Sequence, residues 1–497
     1  MEITRIFDLL DHLKNNYPSD AILAAKKNGN WIKYSTDDYI RYSNLFSIGL
    51  LALGFEKGDK IATVTNNRPE WNFIDMGMLQ VGIVHVPLYP TISLDEYKYI
   101  LTHSDVKAVI ISDKQLYAKL EKLIGTIPAI TKVYIFNEVE GVANWNEIIA
   151  LGEQNEAHFK TRFNEIKDTI KPEDLATIIY TSGTTGTAKG VMLSHRNLVT
   201  NFISTSKIQP LKYGHKVLSF LPLCHIYERM MNYHYQYLGI SIYYAENMGT
   251  IAADLTEIKA DGFTAVPRVL EKIYGKIVAQ GKDLPWLKKE IFQWALKLGS
   301  RYELNGQNGK FYELKLKIAD KLVFSKWRAA IGGRIQVVVS GGAALQPLLS
   351  RIFWAADIKV VEGYGLTETS PVIAVGYPFW PKIKFGTVGP ILEGVEVKFD
   401  EEGEILVKGP NVMMGYYKDP EYTKQVFDEE GWFHTGDIGM MVDGEFLKIT
   451  DRKKAVSYTH LRAHETVLEL VCRLLLEKKK EQKKKKRSKN IAHHIAI

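Results

Sequence analysis

Apolar and polar positions along the chain follow two alternating periods. Ile6, Leu9, Leu10 and Leu13 recur at helical spacing. Residues 60–64 and 81–87, and the run Ala108, Val109, Ile110, Ile111, read as strands, with helices over 71–79 and 94–101 between them. Residues 175–180, 217–222, 263–268, 335–339 and 358–361 repeat the apolar, β-branched strand signature. Strands alternating with helical patterns predict βαβ units and a largely parallel sheet. Between the third and fourth of these strands, Leu287, Ile291, Trp294 and Leu298 lie at i, i+4, i+7 and i+11, and Leu314, Ile318 and Leu322 continue the stripe. The expected place for that stripe is against the sheet. From Gly386 the texture shifts to short alternating strands (395–398, 404–407) joined by turns, which predicts a small antiparallel unit ending near Ile449.

Composition narrows the class. With 46% apolar and 24% charged residues, the chain reads as a soluble globular protein. No apolar run is long enough for a membrane span, and the N-terminus does not resemble a secretory signal. Two cysteines, Cys224 and Cys472, build neither a disulfide framework nor a zinc site, so a cytoplasmic location is expected. The net charge of +7 is a property of the tail. Ten Lys/Arg against two Glu between Arg473 and Lys489 leave the rest nearly neutral, which gives no case for nucleic acid binding. Residues 478–489, mostly lysine, read as a solvated, disordered run. A second reading lets 467–480 lie on an anionic bilayer as a peripheral membrane contact.

Candidate chemistry sits where strands end. After strand 175–180 comes Thr181, Ser182, Gly183, Thr184, Thr185, Gly186, Thr187, Ala188, Lys189 and Gly190. Glycines permit close approach of an anion, and the hydroxyls and the lysine supply donors, so the sensible ligand is a polyphosphate. The P-loop spacing G-x-x-x-x-G-K-[ST] is not met, because Ala188 stands where its second glycine belongs and Gly190 follows Lys189. Ser194 is positioned to cap a following helix. Strands 335–339 and 358–361 end in Ser340, Gly341, Gly342, Ala343 and in Gly363, Tyr364, Gly365. Ligands in open α/β sheets sit beyond such strand ends, so both loops join the phosphate loop on one rim if the three strands share a sheet. Glu368 beside Thr367 and Thr369 suits Mg²⁺; the plainer reading is a helix start capped by Thr367. Asp437 in Trp-Phe-His-Thr-Gly-Asp can accept both hydroxyls of a ribose, or is simply a turn residue. Arg452, in Ile-Thr-Asp-Arg-Lys-Lys, can hold ribose or phosphate, or belongs to a surface charge run.

As an ordered set, residues 181–190, the stretch 221–229 (Leu-Pro-Leu-Cys-His-Ile-Tyr-Glu-Arg), residues 340–345 and 363–371, His434 to Asp437 and residues 449–454 resemble the adenylate-forming, acyl-activating superfamily. The stretches 221–229 and 264–274 and the helical region after them resemble its long-chain acyl-CoA synthetases. The resemblance covers residues 1–454. It implies a large α/β N-terminal domain of two βαβ-layered subdomains with a small antiparallel β unit at about 385–450. It implies ATP-dependent activation of a fatty acid to an acyl-adenylate and then to acyl-CoA, with ATP, Mg²⁺ and coenzyme A as cofactor and co-substrates. Another carboxylic acid, amino, aryl or short-chain, is the alternative substrate. By the same resemblance residues 181–189 cradle the departing phosphates, Lys189 among them. Thr367 touches the α-phosphate, Glu368 holds Mg²⁺ and His225 borders the acyl carboxylate. Gly341, Gly342, Ala343, Gly363, Tyr364 and Gly365 frame the adenine, and Asp437 and Arg452 hold the ribose. The chain departs from the pattern at Ala188, where proline is usual, and after Lys454. Residues 455–497 do not resemble the family's small C-terminal lid domain, so the expectation is a truncated or frame-shifted chain with a slowed first half-reaction and a crippled second.

Overall fold

The computed structural model describes residues 2–182 and 187–453. The strand signatures map onto two large sheets and one small one. Seven strands lie in the order Gly415–Tyr416, Ala188–Ser194, Leu175–Ser182, Val84–Leu88, Lys60–Val64, Ala108–Ile111, Lys132–Ile135. Its inner pairs are parallel, and the hairpin of Leu175–Ser182 with Ala188–Ser194 is antiparallel. Eight strands form the second sheet, in the order Val372–Val375, Val360–Gly365, Val337–Ser340, Gly262–Ala265, Lys216–Ser219, Ser241–Tyr244, Leu23–Lys27, Asn30–Tyr34. It is parallel except for its two edge pairs. Strands of this kind are apolar throughout because both faces are covered. Val84–Leu88, Ala108–Ile111 and Gly262–Ala265 are buried along their whole length.

The helix Ile226–Tyr237 is wedged between the sheets, and every residue from Ile226 to Gln236 is buried. Successive residues on a helix point about 100° apart. Glu228 therefore turns to the eight-stranded sheet, where it accepts from Ser219 and Thr264, each at 2.5 Å. Its neighbour Arg229 turns to the other layer. It donates to Thr177 Oγ1 at 2.6 Å, to Asp75 at 2.5 Å and to the Tyr233 hydroxyl at 2.7 Å. Asp75 also binds His85 Nδ1 (2.6 Å) and the Tyr233 hydroxyl, and His85 Nε2 meets Thr63 Oγ1 at 2.8 Å. A single helix thus ties both sheets together through charged groups that are fully removed from water.

A third, antiparallel sheet joins Glu396–Phe399, Glu404–Lys408, Phe433–Val442 and Phe446–Arg452. Its Ile405, Val407 and Leu447 pack with Ile373 and Ala374 of the eight-stranded sheet's edge strand. The segment after its second strand crosses over to add Gly415–Tyr416 to the edge of the seven-stranded sheet. The small unit therefore closes over the place where both large sheets end.

Three expectations need correction. The three glycine-rich loops do not end strands of one sheet: Leu175–Ser182 belongs to the seven-stranded sheet, and the other two strands to the eight-stranded one. Residues 191–193 belong to the hairpin strand Ala188–Ser194, and Ser194 caps the helix His195–Ser206 as expected. Thr367 caps no α-helix, because residues 367–369 make one 3₁₀ turn before the strand Val372–Val375. The apolar stripe at 287–322 is only partly inside. Leu298 is buried, whereas Leu287, Trp294, Leu314, Ile318 and Leu322 are exposed. Among the described residues no helix is long and apolar enough to cross a membrane.

Candidate active site

A cavity of about 670 Å³ opens where the three sheets meet. From the seven-stranded sheet come Thr181 and Lys189, cross-strand partners in the hairpin that carries the glycine-rich loop. From the eight-stranded sheet come Gly341, Gly342, Gly363, Tyr364 and Gly365, followed by Thr367 and Glu368. Arg452 arrives on the small sheet, and His225 from the start of the wedged helix. Eleven of the expected site residues thus converge on one space from five separate stretches of chain.

Asp437 and Ala343 do not reach the cavity wall. Ala343 is exposed beside it. Asp437 lies in the middle of a strand, not in a turn, directly across from Arg452. It accepts from the Tyr364 hydroxyl at 2.8 Å and faces Arg452 Nε at 3.5 Å. It therefore stands behind Tyr364 and fixes that ring's tip. Gly183, Thr184, Thr185 and Gly186 lie outside the described residues, as does everything after Lys453; Ser182 pairs through its backbone with Ala188.

The glycines have local reasons. A Cβ on Gly365 would collide with the Pro371 carbonyl, and one on Gly341 would press on the Tyr227 ring at 3.2 Å. Only glycine lets these strand ends pass so close to their neighbours.

The electrostatics leave negative groups waiting for cations. Desolvation in the cavity wall pushes the Glu368 carboxyl up, with the Tyr416 hydroxyl donating to Oε1 at 2.8 Å as the opposing influence. Burial likewise raises Asp437, against the bond from Tyr364 and the charge of Arg452. Lys189 Nζ is parked over aromatic rings, 2.8 Å from the centre of Tyr422 and 5.7 Å from that of Tyr416. A cation over a π face is held by the ring quadrupole and stays available to a stronger anion. His225 is pushed down to about 4 by burial, so its ring is neutral at pH 7. Its Nδ1 accepts from the Tyr227 N–H at 3.1 Å, capping the helix, which assigns the ring proton to Nε2.

Sequence reasoning missed several groups here. Tyr416 and Tyr422, which hold Glu368 and Lys189, lie far along the chain from both and carry no motif. Tyr227, Met231 and His234 line the cavity together at i, i+4 and i+7 on the wedged helix, a spacing that could have been read from His225 onward. Beyond them the wall is apolar, with Ile208, Val337, Val339 and Val375. Its polar atoms there are few: His234 Nδ1 pairs with Thr205 at 2.9 Å, while His234 Nε2 and Gln209 Nε2 find no partner among the described residues.

Glu368 in a wall rich in hydroxyls suits Mg²⁺, which binds through one or two carboxylates plus substrate phosphates; the wall's other carboxylate, Glu404, is paired with Lys453 at 3.1 Å. Among the described residues no cluster of three or more acidic, histidine or cysteine groups could cage a metal without a substrate.

Residues 10–417 match the family described as AMP-binding enzyme. The chain is 33% identical to fatty acyl-CoA synthetase A of Dictyostelium discoideum, over 91% of this chain and 70% of that protein. It is 30% identical to the long-chain-fatty-acid–CoA ligase FadD15 of Mycobacterium bovis, over 89% of this chain and 75% of that one. Its fold is similar to the N-terminal domain of FACL13 from Mycobacterium tuberculosis (TM-score 0.66, 21% identity), covering 90% of this chain and all of that domain.

Proposed function

Because the chain belongs to the AMP-binding enzyme family, we propose that it activates long-chain fatty acids with ATP, forming first an acyl-adenylate and then acyl-CoA. In the first half-reaction a carboxylate oxygen of the fatty acid attacks the α-phosphorus of ATP and pyrophosphate leaves. In the second, the coenzyme A thiol attacks the acyl carbonyl, AMP leaves, and the thiol proton is released. The observation that carries this reading is the convergence of Lys189, Thr367, Glu368, Tyr364 and Arg452 on one cavity.

Adenylation demands management of negative charge more than covalent help. Lys189 leaves its aromatic cradle for the β- and γ-phosphates, and the Thr367 hydroxyl donates to the α-phosphate. Glu368 is the residue that would hold Mg²⁺, an ion that neutralises phosphate charge when bound; a cation there reverses the desolvation that raises this carboxyl. Tyr364 offers its ring to the adenine between glycines that leave room for it, Arg452 takes the ribose hydroxyls, and Asp437 holds the Tyr364 hydroxyl from behind. The neutral His225 donates its Nε2 proton to the fatty carboxylate without adding a charge. The apolar wall of Ile208, Met231, Val337 and Val339 accepts the alkyl chain. A cytoplasmic setting fits the buried free thiol of Cys224.

Pyrophosphate exchange compared for palmitate, acetate and amino acids tests the substrate class. Palmitate should be strongly preferred; preference for acetate or an amino acid would overturn the fatty acid reading. Titration calorimetry with ATP and Mg²⁺ tests the nucleotide site. Asp437→Ala should weaken ATP roughly tenfold, since it removes the charged hydrogen bond, about 1.5 kcal/mol or more, that fixes the tip of Tyr364. Unchanged affinity removes Asp437 from the site.

A further inference from the structure

Half of the large apolar side chains exposed among the described residues fall within residues 284–322. Six of the eight sit on two helices packed together, Trp286–Gly299 and Lys310–Ala319, tied by the Tyr312 hydroxyl to the Leu298 carbonyl at 2.8 Å; Leu284 precedes the first helix and Leu322 lies in the helical turn Asp320–Phe324 that continues the second. Trp286 is 76% exposed and Leu287 62%, and on the second helix Phe311 is 71% and Leu314 56% exposed. Phe311, Leu314, Ile318 and Leu322 follow i, i+3, i+7, i+11, so the outward stripe has helical register and is not scatter. The first helix is already anchored by its other side through Phe292, Ala295 and Leu296, and the second through Ala319 and the buried Val323 and Phe324 of the helical turn that continues it. The exposed stripe therefore contributes nothing to holding them in place.

We propose that this face docks on the surface of an anionic lipid bilayer. Two features select that occupant. First, residues 282–328 carry eleven Lys/Arg against five Asp/Glu. Lys315 lies beside the stripe with its Nζ 4.3 Å from the centre of the Phe311 ring. Aromatic and aliphatic tips among lysines are the pattern of helices that lie in a membrane interface: the tips enter the acyl boundary and the ammonium groups stay at the headgroups. Second, the same charge disfavours a protein partner of the same kind. A two-fold contact would bring this basic face against its own copy, and lysine is depleted in protein–protein interfaces. These residues are distinct in sequence from the basic run at 478–489, which lies outside the described residues. Docking would hold the protein where a long-chain acid partitions; that purpose rests on the function proposed above, while the docking does not.

The test uses the whole chain. Leu314→Cys, in a Cys472→Ser background and labelled with an environment-sensitive dye, is mixed with phosphatidylcholine vesicles with and without phosphatidylglycerol. The expected result is a blue shift on the anionic vesicles. In a sedimentation assay with unlabelled protein, Trp286→Ser combined with Phe311→Ser and Leu314→Ser should lower the vesicle partition coefficient at least tenfold. Lys315→Glu with Lys317→Glu, which leaves the apolar tips intact, should abolish the preference for anionic lipid. No shift on anionic vesicles overturns the proposal. So does equal partitioning of the triple variant, which would assign binding to another segment, or a shift that appears with protein concentration alone, which would assign the face to a second copy. Pyrophosphate exchange with palmitate in detergent, free of vesicles, reads the catalytic proposal separately.

Discussion

Two helical regions of this molecule invert the usual rule in opposite directions. The helix Ile226–Tyr237 buries Glu228, Arg229, Asn232, His234 and Gln236. The pair Trp286–Gly299 and Lys310–Ala319 exposes Trp286, Leu287, Phe311 and Leu314. Hydropathy alone would exchange their places. What separates them is the supply of partners. The wedged helix meets hydroxyls, a carboxylate and amides on both sides: Asn232 Oδ1 accepts from the Tyr244 hydroxyl at 2.7 Å, and Gln236 Oε1 from the Tyr39 hydroxyl at 3.1 Å. Burial of a polar group is tolerated when its hydrogen bonds are replaced. The outer pair has covered its inner face already, and nothing in the described chain is left to cover the other.

The two charged neighbours on the wedged helix offer the hardest test of that view. Arg229→Met would leave Asp75 buried without its cation. Breaking such a pair from one side costs about 3–5 kcal/mol. Urea unfolding should show that loss, and Arg229→Met combined with Asp75→Asn should recover part of it. A single variant that unfolds like the parent would mean the network does not bind the two sheets together.

Acid should find the same region. Burial pushes His85 down to about 4, although Asp75 pulls the other way, and it pushes the buried His195 down to about 4 as well. Each binds a proton more readily when unfolded. Their stabilisation is present above the unfolded value near 6.5 and is lost as pH falls toward 4, about 3 kcal/mol for each histidine. Burial alone would raise Asp75, but Arg229, His85 and Tyr233 overcome it and hold the carboxyl below its usual range. That contribution persists to lower pH and disappears below about 3.8. His225 and His234, pushed down by burial to about 4 and about 3, add to this, while Glu228 and Glu362, each raised by burial to about 7, oppose it, so the unfolding free energy should climb between about pH 4 and 6.5 less steeply than the histidines alone would give. A chain more stable at pH 5 than at pH 7 would contradict the neutral, buried state of these rings.

The same contrast explains what could be read from the sequence. Strands whose two faces are both covered announce themselves, and Lys60–Val64 and Ala108–Ile111 stand where their apolar runs put them. The site loops were legible because glycines and hydroxyls cluster after such runs. The wedged helix was not, since its buried polar residues erase the 3.6-residue pattern. Sheet membership was hidden too. Neighbours in a parallel sheet are far apart in sequence, and no local signal says that the strand before Thr181 and the strand before Gly341 belong to different sheets. The pairing of Asp437 with Arg452 depends on the register of a hairpin with a bulge between Ile438 and Gly439. The stripe at 287–322 was visible as a stripe, but periodicity gives a face and not the direction in which it looks.

The smallest effect is expected where the outer helices are altered, and its smallness carries the information. Phe311 and Phe324 lie in consecutive helical segments, Lys310–Ala319 and Asp320–Phe324, and are 71% and 0% exposed respectively. Phe324 packs edge-on against Trp327, with ring centres 5.2 Å apart, so Phe324→Ala should cost about 3–5 kcal/mol in urea unfolding. Phe311 removes little surface from water on folding, and Phe311→Ser should change stability by no more than about 0.5 kcal/mol. If Phe311→Ser instead destabilised the chain as strongly as Phe324→Ala, the residue would be part of the core, and the outer face would have no apolar surface left to offer a membrane. A near-zero value leaves an aromatic side chain that the fold does not need, on the face where lysines surround it.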